Sequence, residues 1–163
     1  MYEFNEKQKF TQWWIWILLG VITLGCTYGA IQQLVFGIPF GDNPASNEVL
    51  IVLSFIPVII LFVFFSLTLE TKINTGGVYY RFKPFRLNPK HISWDEIESI
   101  QVREYSPLKE YGGWGMRYTF RNGTAYNVSG NKGIQLVLKN GKKILIGTQK
   151  AQEVETVLLQ LKK

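Results

Sequence analysis

Two long stretches of the chain are apolar and carry no charged residue. No Asp, Glu, Lys or Arg occurs from Phe10 to Gly41 or from Val49 to Leu69. As helices, residues 13–36 and 49–69 would extend about 36 and 31 Å, against roughly 30 Å for the hydrocarbon core of a bilayer. The segment between them contains two prolines and two glycines in residues 37–48, which favours a tight connection. The pattern predicts an antiparallel pair of membrane-spanning helices.

The first stretch has a second interpretation, as a cleaved signal peptide. Leu24-Gly25-Cys26 resembles a lipoprotein cleavage site. However, the apolar run is longer than the h-region of a signal peptide, and the residue three before Cys26 is Thr23 rather than an aliphatic residue. A membrane-spanning helix is therefore favoured.

Gly25 and Gly29 lie four residues apart in the first stretch. This is the small-xxx-small spacing that lets two helices approach closely. The two glycines are candidate helix-packing residues, either within the predicted hairpin or between copies of the chain in a homo-oligomer.

The distribution of basic residues predicts the orientation of the spans, because cytoplasmic segments beside a span are enriched in Lys and Arg. Lys7 and Lys9 precede the first span and five basic residues follow the second by residue 90, whereas the connection carries none. Neither span contains a charged residue, which favours an anchor over a transporter. We expect both termini in the cytoplasm. The predicted segments are a cytoplasmic tail (1–10), transmembrane helix 1 (11–36), an external loop (37–48), transmembrane helix 2 (49–69) and a cytoplasmic domain (70–163).

The last of these segments has the pattern of short β-strands separated by turns. Asn74-Thr75-Gly76-Gly77 predicts a hairpin between residues 69–73 and 78–82. The spacing of Ser93 and Glu96 is that of a capping box. Further strands are predicted at 99–105, 116–120 and 124–128, and with the hairpin that follows they make about seven.

Residues 133–147 predict the clearest hairpin, with Asn140-Gly141 at its turn. A two-residue type I′ turn there would mix apolar and charged side chains on one face. A type I turn with Gly141 in a G1 bulge instead places Leu136 opposite Ile144 and leaves Gln135 on the other face. We predict the second register because it separates the apolar face from the polar one.

The chain ends in a predicted helix at about 149–162. Thr148 is the expected N-cap. An apolar stripe at helical spacing predicts one buried face; it consists of Ala151, Val154, Val157, Leu158 and Leu161. The order of elements predicts an all-β barrel or sandwich, with this C-terminal α-helix plugging one open end.

Four segments of the sequence carry a family resemblance: GGVYYRFKPF, ISWDEIESIQVREY, EYGGWGMRY and AYNVSGNKGIQLVLKNGKKILIGTQK. They resemble bacterial pleckstrin-homology-like (PH-like) domains, and the whole chain resembles a family of small bacterial membrane proteins with two helices ahead of such a domain. The resemblance implies a PH-like fold, location in the bacterial inner membrane, and binding of lipids, peptides or proteins without catalysis. The 74–77 turn lacks the basic cluster of phosphoinositide-binding PH domains, so inositide recognition is not expected.

Positive charge is concentrated after the second span. Residues 70–163 hold 16 basic and 8 acidic residues, a net charge of +8, and anionic headgroups attract such a surplus. A run of five basic residues without an acid begins at the span exit and is the candidate contact with anionic lipid, the alternative being a solvated surface. These residues are Lys72, Arg81, Lys83, Arg86 and Lys90.

A glycine-rich loop is the second candidate site. Tyr111, Trp114 and Arg117 lie among three glycines. Such glycines most often mark a bulge or a close approach within the protein itself, but exposed aromatic residues beside an arginine also suit recognition of a partner. The three residues are therefore a candidate partner loop.

The sequence contains no pattern that indicates catalysis. One His and one Cys (Cys26) cannot form a His/Cys metal site or a Cys-His pair within one chain. Asp95, Glu96 and Glu98 point in different directions, and Ser93 offers a capping role for Glu96. No phosphate-loop, dinucleotide or nucleophile-elbow motif occurs, and nucleic-acid binding is not expected. We predict no catalytic residue, metal or cofactor.

Together these features predict a membrane-anchored PH-like module that binds a protein partner or anionic phospholipid headgroups at the cytoplasmic face. The alternative is an accessory subunit of a membrane transport or enzyme complex. In that alternative the helical hairpin would contact the membrane-protein partner.

Overall fold

A computed structural model describes residues 3–161. The chain forms two compact units, which are described separately: a helical unit, Gln12–Ser66, and a β unit made of residues 3–11 and 67–161. The elements in order are β1 (Phe4–Lys9), α1 (Trp13–Leu34), α2 (Asn47–Ser66), β2 (Thr68–Asn74), β3 (Gly77–Lys83), β4 (Lys90–Ser93), a 3₁₀ turn (Trp94–Glu96), β5 (Ile97–Glu104), α3 (Pro107–Tyr111), β6 (Gly115–Thr119), β7 (Gly123–Asn127), β8 (Lys132–Leu138), β9 (Lys143–Gly147) and α4 (Ala151–Gln160).

The helical unit is an antiparallel pair. Trp16, near the start of α1, packs edge-on against Phe65, near the end of α2, with ring centroids 6.3 Å apart. Both helices are long and apolar enough to cross a membrane. The connection folds back on α1, where the Gln33 side chain donates a hydrogen bond to the Ala45 carbonyl at 2.8 Å. The predicted pair of apolar helices is therefore present.

The second predicted span extends too far along the chain. α2 ends at Ser66, and β2 begins at Thr68. Leu69 is fully buried in the β unit. The apolar run continues past the helix because its last residues belong to the core of the sheet, and an apolar residue has the same sequence signature in both places.

The β unit contains two mostly antiparallel sheets. The first has the order β1-β2-β3-β4, and the second β5-β8-β9-β7-β6, with β7 and β9 parallel. Buried side chains of the two sheets meet where the Tyr80 and Tyr126 rings lie 4.9 Å apart. On α4, Val154 and Leu158 are buried, as the apolar stripe predicts. Residues 3–161 contain nine strands, two more than the predicted seven.

The prediction that residues 1–10 form a tail is wrong for residues 4–9. Residues 4–9 form strand β1, which pairs with β2 from Phe4 opposite Ile73 to Lys9 opposite Thr68. Phe4 is only 2% exposed. The β unit is therefore discontinuous in sequence, with the helical unit inserted between its first two strands. Residues 1 and 2 of the predicted tail lie outside the described residues.

The predicted register of the 133–147 hairpin is confirmed. Leu136 lies opposite Ile144, and the Gly141 amide donates to the Leu138 carbonyl at 2.8 Å, with a φ of +77° at Gly141. Gln135 lies on the other face, as predicted, and it is buried there. Its amide oxygen accepts hydrogen bonds from Arg103, which satisfies a polar group that burial alone would penalise.

The predicted N-cap of the last helix is wrong. Lys150, not Thr148, stands at the N-cap position of α4. The Thr148 hydroxyl is buried and donates to Glu6 of β1 at 2.6 Å, while it accepts from the Lys150 amide at 3.1 Å. Thr148 therefore joins the first strand to the start of the last helix. The predicted C-terminal end, Lys162 and Lys163, lies outside the described residues.

Candidate functional site

The outer face of the first sheet carries alternating charged side chains. Lys7 of β1 lies opposite Glu70 of β2, and Glu70 lies opposite Arg81 of β3. Because side chains directly opposite each other share a face, three of the predicted lipid-contact residues come together. We call this surface the basic sheet face; it consists of Lys7, Glu70, Lys72, Arg81 and Lys83.

Carboxylates partly neutralise the basic sheet face. Glu70 accepts a hydrogen bond from Arg81 and lies 3.2 Å from Lys83 Nζ and 3.8 Å from Lys7 Nζ. Burial by itself raises the pKa of Glu70, but the bonds from Arg81 and Lys83 outweigh it and hold the pKa below its usual value. Lys72 pairs with Glu3 at 2.8 Å. The net charge of the basic sheet face is therefore positive, but smaller than its number of lysines and arginines.

The other two predicted lipid-contact residues lie elsewhere. Arg86 is in the turn after β3, where its amide donates to the Phe82 carbonyl at 2.8 Å. Lys90 lies opposite Tyr80 in the β3–β4 pair, and Tyr80 points to the opposite side of the sheet from Arg81. The five basic residues between positions 72 and 90 therefore do not share one surface.

A groove of about 570 Å³ lies against the basic sheet face. Its wall at β3 includes Tyr79, which stacks on His91 with ring centroids 4.2 Å apart. The His91 ring nitrogen Nε2 lies 3.0 Å from the Gly76 carbonyl oxygen. His91 therefore has a structural role in supporting the 74–77 turn.

A second groove, of about 590 Å³, lies on the other side of β3 and β4. We call it the cationic groove. Four basic residues line it, contributed by β4, the β6–β7 turn and the β8–β9 turn with the start of β9: Lys90, Arg121, Lys142 and Lys143. No carboxylate lines it among the described residues. Its aromatic lining consists of Tyr80, Tyr118, Phe120 and Tyr126.

The rim of the cationic groove exposes two aromatic rings. Phe120 is 98% exposed and Tyr118 is 66% exposed. The two rings contact each other edge-on with centroids 5.7 Å apart. Two exposed aromatic rings in contact form a small apolar patch, and contiguous apolar patches often mark contact surfaces. Periodicity alone does not reveal this groove, because its residues come from four separate parts of the chain.

The candidate partner loop is largely built into the β unit. Tyr111 is 3% exposed and lies in α3, where it packs against Tyr105 with ring centroids 6.0 Å apart. The Trp114 indole donates to the Gly130 carbonyl at 3.1 Å. Arg117 is exposed, and its Nε donates to the Trp114 carbonyl. The structure does not bring the three side chains together as an exposed set, since Tyr111 belongs to the core.

An ion pair holds α3, which leads into the candidate partner loop. Arg103 of β5 contacts Glu110 at 2.8 Å, and Glu110 also accepts from the Ser106 amide at 2.8 Å. The hydrogen bond from Arg103 lowers the pKa of Glu110 most; burial opposes this effect, and the Ser106 amide adds to it. The same pair raises the pKa of Arg103.

We expect this pair to make the stability of the β unit depend on pH. Because the pKa of Glu110 is lower in the folded than in the unfolded state, its contribution is fully present well above the unfolded pKa of about 4.3 and is lost as the pH falls through the folded pKa. Glu110→Gln should cost about 1–2 kcal/mol at pH 7 and less at pH 3. Denaturant unfolding of both proteins at the two pH values measures this difference. An equal cost at pH 3 and pH 7 would contradict an electrostatic role.

The two candidate helix-packing glycines have different surroundings. A Cβ atom at Gly29 would lie 2.7 Å from the Phe40 ring, whereas a Cβ at Gly25 would meet nothing within 4 Å. Gly29 therefore accommodates the connection between the helices. It does not provide a contact for α2.

The candidate carboxylates have structural partners. Glu96 accepts from the Ser93 amide at 3.0 Å and the Ser93 hydroxyl at 3.2 Å, as the capping-box spacing predicts. The Ser93 amide lowers the pKa of Glu96 most. Among residues 3–161, no group of three His, Cys, Asp or Glu residues is placed to hold a metal ion.

No family model matches the chain, and no curated protein matches it significantly. Function is therefore inferred from the chemistry of the two basic surfaces.

Proposed function

We propose that this chain is a two-span membrane protein whose β unit is a non-catalytic binding module for anionic lipid headgroups. The basic sheet face is the contact surface. The observation that carries the proposal is that two of the three strands bearing this face, β1 and β2, run directly into the two apolar helices.

Chain connectivity supports this assignment. Three residues separate Lys9 from Trp13, and Leu67 alone separates Ser66 from Thr68. Lys83 lies opposite Thr68, and Lys72 lies four residues further along β2, or about 13 Å at 3.3 Å per residue. If α2 spans the bilayer, the cations of the basic sheet face therefore begin close to the headgroup layer.

The expected affinity is modest, which suits a tethered module. A basic residue near an anionic leaflet contributes about 1 kcal/mol, and this attraction falls off within a Debye length. Glu70 and Glu3 offset part of it. Because the spans already hold the β unit at the membrane, its effective concentration there is high, and weak attraction is enough to shift it toward the bound state.

The proposal includes a cytoplasmic β unit of PH-like class in the bacterial inner membrane. The absence of basic residues from the 37–48 connection supports this orientation. In a Cys26→Ser background, Asn43→Cys should react with an impermeant maleimide added outside intact cells. Lys139→Cys, on an exposed turn, should react only after permeabilisation. The reverse pattern would overturn the orientation without affecting the fold.

The lipid contact is tested on the full chain in nanodiscs of phosphatidylcholine with or without phosphatidylglycerol. We expect phosphatidylglycerol to slow hydrogen exchange in residues 68–83. Neutralising Lys7 and Lys72 with glutamine should weaken the docking equilibrium about 10- to 30-fold, at about 1 kcal/mol per residue. The matched control neutralises Lys109 and Lys132, which lie off this face. Equal exchange in both kinds of disc would contradict the proposal.

A further inference from the structure

We propose that the cationic groove is a separate binding site for a phosphorylated ligand, with the phosphoryl oxygens held among Lys90, Arg121, Lys142 and Lys143. The basic sheet face does not include this groove. Lys90 shares its side of the first sheet with Tyr80, whereas Arg81 and Lys83 lie on the other side. The inference does not depend on the lipid contact proposed above.

The charges of the cationic groove lack the compensation that the basic sheet face has. Glu70 contacts three cations there. By contrast, Arg121, Lys142 and Lys143 form no ion pair with any carboxylate of residues 3–161. The charge of Lys90 acts on one carboxylate, Glu96, which is already held by Ser93. Like charges gathered around a concave surface repel one another, and an anion between them relieves that repulsion.

Two buried tyrosines line the cationic groove beside its cations. Tyr80 is 1% exposed and Tyr126 is 8% exposed, and their ring centroids lie 4.9 Å apart. Burial raises the pKa of Tyr80 most, followed by the charge of Tyr126 and a hydrogen bond with it. The lining therefore adds neutral aromatic rings, and no negative charge, to the four cations.

The size and shape of the groove favour a small phosphorylated molecule. Its volume of about 590 Å³ lies within the range of small-molecule sites. A phosphoryl monoester carries close to two negative charges and three acceptor oxygens, which matches a set of several cations better than a single carboxylate does. The exposed Tyr118 and Phe120 rings on the rim provide an apolar surface for the remainder of the molecule.

The phosphoryl group has two sources, a soluble compound or a lipid headgroup, and two arms of one experiment distinguish them. In the first, inorganic pyrophosphate is titrated into the full chain in neutral detergent, and binding is followed by calorimetry and by the amide signals of Gly123 and Gly141. In the second, the full chain is placed in phosphatidylcholine nanodiscs with or without phosphatidic acid, and hydrogen exchange is measured at residues 119–124 and 139–144.

The groove variant replaces Arg121, Lys142 and Lys143 with glutamine. The control replaces Lys109, Lys132 and Lys139, which changes the net charge equally on exposed sites outside the groove. We expect the groove variant to lose at least about 10-fold in affinity and the control to lose less than about 3-fold. Unchanged hydrogen exchange in β8 shows that the groove variant is folded.

Each result supports or overturns the site. Saturable pyrophosphate binding that the groove variant loses indicates a soluble phosphorylated ligand, and protection only with phosphatidic acid indicates a headgroup. No binding in either arm, or equal losses in the groove variant and the control, overturns the proposal. Neutralising Lys7 and Lys72 should leave groove binding unchanged, which separates this outcome from that of the basic sheet face.

Discussion

Replacing residues 3–9 with a flexible Gly-Ser segment of equal length is expected to unfold the β unit. Phe4 is buried in the core, and losing such a ring costs about 3–5 kcal/mol. The Glu6 carboxylate accepts from the Thr148 hydroxyl at 2.6 Å and the Gln149 amide at 2.9 Å, and leaving these donors unpaired costs a further 2–4 kcal/mol, roughly. The sum is comparable with the whole stability of a typical domain, about 5–15 kcal/mol.

Hydrogen exchange of the β8 amides in detergent measures this effect on the full chain. We expect protection to be lost in the replaced protein and kept when only the outward Asn5 and Lys7 are changed to serine. Glu6→Ala should give an intermediate loss, because it removes the contact with Thr148 and leaves Phe4 in place. Full protection of β8 without residues 3–9 would mean that β1 is dispensable.

The same strand shows why part of the fold could not be predicted from the sequence. β1 has the sequence FNEKQK, and two of its three inward side chains, Glu6 and Gln8, are polar. Their partners are distant in sequence: Gln8 donates to the Gly147 carbonyl at 2.7 Å. Alternation of apolar and polar residues detects a strand only when the inward side chains are apolar. A strand that buries polar groups against partners about 140 residues away carries no such local signal.

Local turn chemistry, by contrast, predicted the 133–147 hairpin down to its register. The apolar residues on one face of this hairpin select one pairing, and Gly141 supplies the positive φ of the bulge. Both signals lie within 15 residues, so no long-range contact is needed to interpret them. The same holds for Ser93 and Glu96, whose capping contact follows from a spacing of three.

The candidate sites also differ in how far the sequence predicts them. Lys72, Arg81 and Lys83 meet on one face because adjacent strands place them there, and their position in the sequence suggested it. Lys90 leaves that cluster because strand pairing sets it opposite Tyr80. The cationic groove joins a strand, two turns and the start of another strand, and its assembly depends on the parallel β7–β9 pair. No spacing rule connects residue 90 with residue 143.

Gly123→Ala is expected to destabilise the β unit by about 2–5 kcal/mol. Gly123 has a φ of +76°, a conformation that costs an L side chain about 1–2 kcal/mol. An added Cβ would also overlap the backbone carbonyl of Lys143 on the neighbouring strand, and overpacking of this kind costs about 1–3 kcal/mol. Because Thr124 pairs with Ile144 in the parallel β7–β9 ladder, the overlap is relieved only if the two strands move apart.

Gly141→Ala provides the matched control. Gly141 has nearly the same φ, +77°, but a Cβ there would meet nothing within 4 Å. It should therefore cost only the conformational term of about 1–2 kcal/mol. Denaturant unfolding of the full chain in detergent, monitored by hydrogen exchange in β7 and β9, separates the two contributions. Equal losses in the two variants would mean that the Lys143 carbonyl can move aside, and that the parallel pair does not fix the distance between Gly123 and β9.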